Sequence, residues 1–393
     1  MKVLSKTLSV CEENLKVVSA KIVEENGKIF LEKECGEKVL IDNDAELYKK
    51  LVLPYKMKIE GKNIEEIWQK LRKKVFSTAL YITSKCNLHC KICYLNFAHS
   101  MHDMSIEEIK EFLKRNKSRF ISLTGGEPTV REDLPEIIKL LTKRRRKVLI
   151  ITNGIKLADR NYVKKLKESG LFGVYFSFDG FDGRIYKEFR GKNLLKKKLK
   201  ALKNLEEEGI STILVPVIRK NFNEGEVKKI IDYADKHPFI EEVRFLVEYP
   251  NHDFFISDGY KLISKNYNIS LDYFSDIKRF LWKIKTLTSW ANNILGIDHC
   301  IIPLKRGSLK PLFDPNDNKI IKFLKILKAG IEVVLWRVFN RKIKSILKIC
   351  FCSIYTPSTW DFSRPGMVFS ESNASFEKVN GKFPIQAMVG VET

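Results

Sequence analysis

From residue 77 onward, the apolar positions alternate between short, nearly continuous hydrophobic runs and longer amphipathic segments. The runs are STALYIT (77–83), RFISLT (119–124), KVLIIT (147–152), FGVYFSF (172–178), STILVPV (211–217) and EEVRFLVE (241–248). Strands that are apolar on both faces read as members of a parallel sheet covered by helices. Between them lie SIEEIKEFLKR, DLPEIIKLLTK, NYVKKLKESG, LKKKLKALKNLEEEG and EVKKIIDYADKH, with apolar residues at helical spacing. Ser105 stands where a helix cap belongs and Glu108 closes a capping box with it. Six strand–helix units predict an α/β fold, a partial (βα)6 TIM-like barrel. Ligand chemistry is expected at the C-terminal ends of its strands.

The flanks follow other patterns. KVVSAKIVEENGKIFLEKE (16–34) reads as two strands joined by a turn at Asn26-Gly27, with Cys11 before it and Cys35 after it. A helix over 64–75 leads out of this small β-rich unit. After Pro250 the period breaks. A helix over 272–292 would carry Phe274, Phe280, Trp282 and Trp290, either packed into the core or lining an apolar cleft. The expected division is an N-terminal unit at 1–75, a catalytic core at 76–250, and a substrate-covering α+β extension at 251–393.

Composition narrows the setting. The chain has 393 residues, 44% of them hydrophobic, so it can bury a large core. Eight cysteines at this length do not make a disulfide scaffold. No apolar run reaches the length of a membrane span, and the N-terminus becomes charged too early for a signal peptide. A cytoplasmic protein is expected, with peripheral contact at the inner membrane face as one option. The net charge of +23 fits a solvated lysine-rich surface, an anionic lipid surface or nucleic acid. The basic runs KRRRK (143–147) and GKNLLKKKLK (191–200) lack the interleaved aromatics of a single-strand binding surface.

Three of the eight cysteines, Cys86, Cys90 and Cys93, fall in the loop after the first barrel strand, ITSKCNLHCKICYLNF (82–97). Thiolates at this spacing suit zinc or an iron–sulfur cluster. Zinc would need a fourth ligand such as His89 or His99. Three thiolates on a four-iron cube leave one iron open to a substrate or cofactor.

This loop, with the aromatic Tyr94, resembles the signature of the radical S-adenosylmethionine (SAM) superfamily. Companion elements follow in order. They are GGEP (Gly125, Gly126, Glu127, Pro128), TNG with Asn153, FSFDG with Ser177 and Asp179, Arg190-Gly191, and VPVIRKNFN with Arg219. The resemblance covers roughly 76–250. It implies a 4Fe-4S cluster on Cys86, Cys90 and Cys93, and SAM held by the remaining elements. Glu127 would face the methionyl ammonium or order its turn. Asn153 would contact the cofactor or merely form its turn. Ser177 and Asp179, two apart on one strand face, would make polar contacts to ribose or carboxylate. Arg190 and Arg219 are candidate carboxylate partners, Arg190 alternatively bracing the rim. Tyr94 would cover the adenine or pack. The glycines would let backbone approach the cofactor. The implied chemistry needs a low-potential electron donor. An electron entering the sulfonium breaks the C5′–S bond, and the 5′-deoxyadenosyl radical takes hydrogen from an unactivated carbon.

Outside the barrel, SVCEENLKVVSAKIVEENGKIFLEKECGEK (9–38) resembles the N-terminal frame of archaeal tetraether lipid synthase-like proteins, thinned of cysteines. Cys11 and Cys35 each lack a nearby partner, so this unit is expected to be free of metal. Cys300, Cys350 and Cys352, with His299, are candidates for one auxiliary iron–sulfur cluster or are free thiols. The frame implies a lipid or other hydrophobic substrate. A peptide, a nucleic-acid base or a small cofactor is the alternative, and a non-catalytic iron–sulfur scaffold is a third.

Overall fold

In the computed structural model the chain builds two sheets. The structure describes residues 1–11, 13, 17–55, 77–93, 103–247, 254–287, 301–312 and 346–352, with scattered positions from 314 to 328. The helix expected at 64–75 lies outside them, as do Tyr94, His99, Trp290, His299 and Cys300.

The first sheet is antiparallel, in the order β1 (Lys2–Val10), β2 (Val17–Glu25), β3 (Lys28–Lys33), β4 (Lys38–Asp42). The expected hairpin is its centre, with β2 and β3 meeting at Asn26-Gly27. Both turn residues have positive φ, 50° and 74°, as the tight hairpin turn requires. Helix α1 (Ala45–Leu51) closes the unit. Its Ala45 and Tyr48 pack on Ala20, Ile22, Ile29 and Leu31. Its Leu47 and Leu51 belong to the barrel core instead.

The second sheet contains β5 (Ser77–Thr83), β6 (Phe120–Gly125), β7 (Lys147–Thr152), β8 (Leu171–Ser177), β9 (Ser211–Val215), the short β10 (Val217–Ile218), β11 (Ile240–Val247), β12 (Ile301–Lys305) and β13 (Ile346–Cys352). Its order is β12-β13-β11-β9-β8-β7-β6-β5, with β10 beside β11. All neighbours pair in parallel except β12, which lies antiparallel to β13 at the edge. The six predicted strands are therefore extended by β13, a further parallel strand supplied by the C-terminal part. Helices α2 (Ile106–Arg115), α3 (Leu134–Lys143), α4 (Arg160–Glu168), α5 (Gly183–Arg190), α6 (Leu195–Glu207) and α7 (Glu226–Lys236) connect the strands. The capping box at α2 is complete. Ser105 Oγ accepts from Glu108 N at 3.1 Å, and Glu108 accepts from Ser105 N at 2.8 Å.

The helix expected over 272–292 is α9 (Leu271–Leu287) as far as the described residues run, and an unforeseen helix, α8 (Ile256–Tyr267), precedes it. Phe254, Tyr260, Tyr273 and Phe274 are buried within the main core. Of the aromatics assigned to either core or cleft, Phe274 is therefore core. These helices also hold the N-terminal unit. Ser257 Oγ donates to Asp42 at 2.5 Å, Asn43 Nδ2 to Asp258 at 3.1 Å, and Lys278 Nζ to Leu51 O at 2.5 Å.

At the opposite end of the sheet from the site, Glu241 is fully buried beside Glu242, Lys348 and Arg306. Its Oε1 accepts from Ser211 Oγ at 2.7 Å, while Oε2 has no partner among the described residues. Burial pushes its carboxyl up to about 8, although Lys348 and Arg306 oppose this. A carboxyl whose folded pKa is raised loses stability as pH rises from its unfolded value towards the folded one. Glu241→Gln is therefore expected to match the parent near pH 5 and to exceed it by about 2 kcal/mol at pH 9, measured by denaturant unfolding at both pH values.

Candidate functional site

The site grows from one close approach at the C-terminal edge of the sheet. Past β5 and β6 the chains stay paired, with Gly126 N donating to Thr83 O at 2.9 Å and Glu127 N to Lys85 O at 2.8 Å. A Cβ on Gly125 would lie 2.1 Å from Thr83 O, and one on Gly126 would lie 2.4 Å from Lys85 O and 2.5 Å from Ser84 O. The glycines were expected to admit a cofactor. The space a Cβ would need is instead occupied by the first residues of the cysteine loop.

The loop is clamped on every side. The Arg131 guanidinium donates to Ile82 O and Met104 O, both at 2.6 Å, and forms a two-pronged pair with Asp133 at 2.8 and 2.6 Å. One side chain thus fixes where the loop departs and where the chain returns. Thr83 Oγ1 donates to Asp103 at 2.6 Å. On the far side Lys91 N donates to Phe189 O at 3.0 Å, and Asn153 Nδ2 to Asn87 Oδ1 at 2.7 Å. Beneath, Leu88 packs with Tyr186 and Leu194, and Ile92 with Ile185, Phe189 and Val217.

Cys86, Cys90 and Cys93 are half-buried, and none is in a disulfide among the described residues. Burial pushes Cys86 up to about 11, with Glu127 and the other two thiols adding to the shift, so loading a metal group must displace protons. Among the described residues these three sulfurs do not all lie within 4.8 Å of one another, so they form no ready-made single-ion site. Three thiolates on one loop are the donor set for a cube that takes one thiolate at each of three corners and leaves one iron open, and these cysteines are the residues that would hold it. A bound cluster would supply the electron for reductive cleavage of SAM.

The other predicted residues form the floor. Buried Glu127 accepts from Thr129 N at 3.1 Å, Thr129 Oγ1 at 2.7 Å, Thr152 Oγ1 at 2.6 Å and Asn153 N at 2.6 Å. It ties the end of β6 to the end of β7. Pro128 is buried behind it, opening a single helical turn. Strand β8 ends at Ser177, so Asp179 lies in the turn beyond rather than on the same strand face. Its fully buried carboxylate accepts from Arg190 Nε and Nη2, both at 2.9 Å, and from Val217 N at 3.1 Å. Burial opposes the Arg190 charge, but Asp179 and then Cys90 hold the guanidinium well above its ordinary value. Arg219 lies against the rings of Phe189 and Phe222, 4.9 and 5.2 Å from their centres, which are themselves 5.4 Å apart, and 3.4 Å from Glu188.

Of the auxiliary candidates, His299 and Cys300 and the side chain of Cys352 lie outside the described part, and Cys350 is buried in β13. In the N-terminal unit the thiols of Cys11 and Cys35 do meet, with the unforeseen Glu37, within 4.8 Å of one another. Glu37 also pairs with the buried Lys33 ammonium at 2.5 Å. Structural zinc takes four closed ligands, and this set offers three, one already held by a cation.

One residue of the floor was missed. Lys198 belongs to the basic run at 191–200, yet its side chain is fully buried. The signal was its spacing. It shares a helical face with Leu194, Ala201, Leu202 and Leu205, all buried.

Residues 80–234 match the family model described as the Radical SAM superfamily. The cofactors of that class are a 4Fe-4S cluster and SAM. Residues 3–37 match a second model, the HMPTM N-terminal zinc ribbon domain. The chain is 39% identical over 252 residues to a 7,8-dihydro-6-hydroxymethylpterin dimethyltransferase of Methanocaldococcus jannaschii, covering 58% of this chain and 50% of that protein. It is 32% identical over 215 residues to a GTP 3′,8-cyclase of Clostridium perfringens, covering 52% of this chain and 64% of the relative. The chain thus spans about half to two thirds of the length of these relatives. Among solved structures, Streptococcus suis SuiB bound to S-adenosylmethionine aligns at 17% identity and a TM-score of 0.42, over 66% of this chain and 68% of that one. Methylornithine synthase aligns at 18% and 0.41, over 56% and 75%.

Two outcomes follow from this geometry. Gly126→Ala should push the cysteine loop outward and lower iron uptake on anaerobic reconstitution to below about a half of the parent's, with far-UV circular dichroism unchanged. The ribbon's three-donor set should leave the purified chain with far less than one zinc, as measured by elemental analysis.

Proposed function

We propose that this chain is a radical SAM enzyme that cleaves SAM reductively and directs the resulting radical at a small fused nitrogen heterocycle of the pterin type. The observation that carries the reading is the reach of the similarity to the pterin dimethyltransferase, 39% over 252 residues, well beyond the 80–234 core. The N-terminal ribbon match points the same way. The cyclase relatives, by name, act on GTP, whose guanine is also a fused nitrogen heterocycle. A small cofactor precursor was one of the substrate classes the sequence left open.

The lipid expectation draws less support. The N-terminal frame was its specific signal; of the aromatic stretch beyond Pro250, Phe254, Tyr260, Tyr273 and Phe274 are packed in the core, while the side chains of Phe280, Trp282 and Trp290 lie outside the described ones. Among the described residues no helix is long and apolar enough to cross a membrane. The +23 charge suits an anionic small molecule as well as an anionic surface. In either case a low-potential electron donor is required.

The test is anaerobic reconstitution followed by turnover. The chain should take up about four irons, and with dithionite and SAM should release 5′-deoxyadenosine. Cys90→Ala should reduce that release to background. Addition of 7,8-dihydro-6-hydroxymethylpterin should accelerate it and yield a modified pterin by mass spectrometry, as the relative's name implies. Release of 5′-deoxyadenosine that ignores the pterin and responds to an archaeal-type lipid would transfer the assignment to the lipid class.

A further inference from the structure

The C-terminal ends of β7 and β8 carry Asn153 and Ser177, and between them stands a group that no part of the chemistry above uses. Lys198 enters from α6, its side chain fully buried. Its Nζ donates to Asn153 O at 2.5 Å, to Ser177 O at 2.6 Å and to Ser177 Oγ at 3.3 Å. Those three acceptors match the three N–H bonds of an ammonium. The faces of Phe176 and Tyr186 lie 5.2 and 5.7 Å away, a favourable setting for a cation. Burial pulls Lys198 down to about 7 and Arg190 adds to this, while Asp179, Glu127 and Cys90 act in the opposite sense.

The acceptors matter because of what they belong to. Asn153 also donates through Nδ2 to Asn87 in the cysteine loop, and its own N–H is fixed on Glu127. The Asn153 carbonyl is therefore the remaining backbone handle on that turn, and Lys198 holds it. At Ser177, Lys198 takes both the carbonyl and the hydroxyl, which fixes the side-chain rotamer at the last residue of β8. Parallel strand ends diverge where their loops begin, so backbone pairing cannot do this.

We propose that Lys198 is a positioning residue for the SAM site. It locks the Asn153 turn and the Ser177 hydroxyl into one geometry before the cofactor arrives. It touches neither the cluster nor the reacting atoms. The inference rests on the radical SAM reading of the site. A residue of this kind should govern cofactor affinity more than the cleavage step.

The experiment uses the reconstituted full-length chain and Lys198→Met, which keeps volume and removes all three donors. Lys198→Gln, which keeps an N–H donor, serves as the second variant and decides the matter if Met prevents folding. Three quantities are read: iron per chain with the electron paramagnetic resonance signal of the reduced cluster, KM for SAM, and kcat for 5′-deoxyadenosine release. The expected result is parental iron and resonance signal, KM raised about tenfold or more in Met and less in Gln, and kcat within about threefold. Unchanged KM in the variants overturns the inference. So does loss of iron in parallel with KM, since that marks a purely structural residue. A parent that binds iron but never cleaves SAM sinks the reading of the site itself, an outcome distinct from either.

Discussion

The site depends on two backbones lying closer together than side chains permit. Thr83 to Lys85 and Gly125 to Glu127 continue the pairing of β5 and β6 past the point where a parallel ladder normally stops. Only glycine tolerates that approach, because a Cβ at either position would overlap a carbonyl oxygen. Once the two segments are joined, the cysteine loop has a fixed root. Glu127 is turned inward to β7, and Arg131 can reach both ends of the loop with one guanidinium. The glycines thereby seat the loop that carries Cys86, Cys90 and Cys93.

Across the floor behind that loop runs a row of buried charges, Glu127, Lys198, Asp179 and Arg190, two anions and two cations. Charges buried without partners are costly, and these are all bonded. Three of them bond groups on adjoining strand ends, and Arg190 holds the third, Asp179. Glu127 takes donors from β7 and the turn after it. Lys198 takes acceptors from the ends of β7 and β8. Asp179 takes a backbone donor at β10 and the Arg190 side chain from α5. Side chains thus replace the hydrogen bonds that diverging loops lose. Bonded on several sides, the row gives a rigid seat for a cofactor that must be held still.

Much of this was legible in the chain, and the reasons differ by element. KVLIIT at 147–152 became β7 without a shift in either boundary, because a fully apolar run flanked by charge has one reading. Ser105 and Glu108 made their capping box because both partners are local. Strands β1 and β4 were not foreseen, since KVLSKTLSV and KVLID alternate too weakly alone and are strands only beside the central hairpin. Helix α5 was hidden in GRIYKEFR, which is polar on its outer face and short. The motif residues were found by type, but their pairings were not. That Asp179 meets Arg190, or that Lys198 leaves its basic run for the interior, depends on loops brought together by the sheet. Lys198 shows the limit most clearly, because charge pointed outward and helical spacing pointed inward. Spacing prevailed because acceptors and aromatic faces were waiting inside.

The N-terminal unit can be understood in the same terms. A zinc ribbon is stabilised by its metal, and losing ligands should loosen it. Here the sheet has its own apolar core of Ala20, Ile22, Ile29 and Leu31, covered by Ala45 and Tyr48 of α1. The other face of α1 is set into the barrel core through Leu47 and Leu51. Asp42, Asn43 and the Leu51 carbonyl are then bonded to α8 and α9. Packing and polar ties of this extent hold the unit to the barrel independently of any metal at Cys11, Cys35 and Glu37. They also make the ribbon and the barrel one continuous body. The segment 3–37, which matches the zinc ribbon model, therefore lies in a part physically coupled to the barrel.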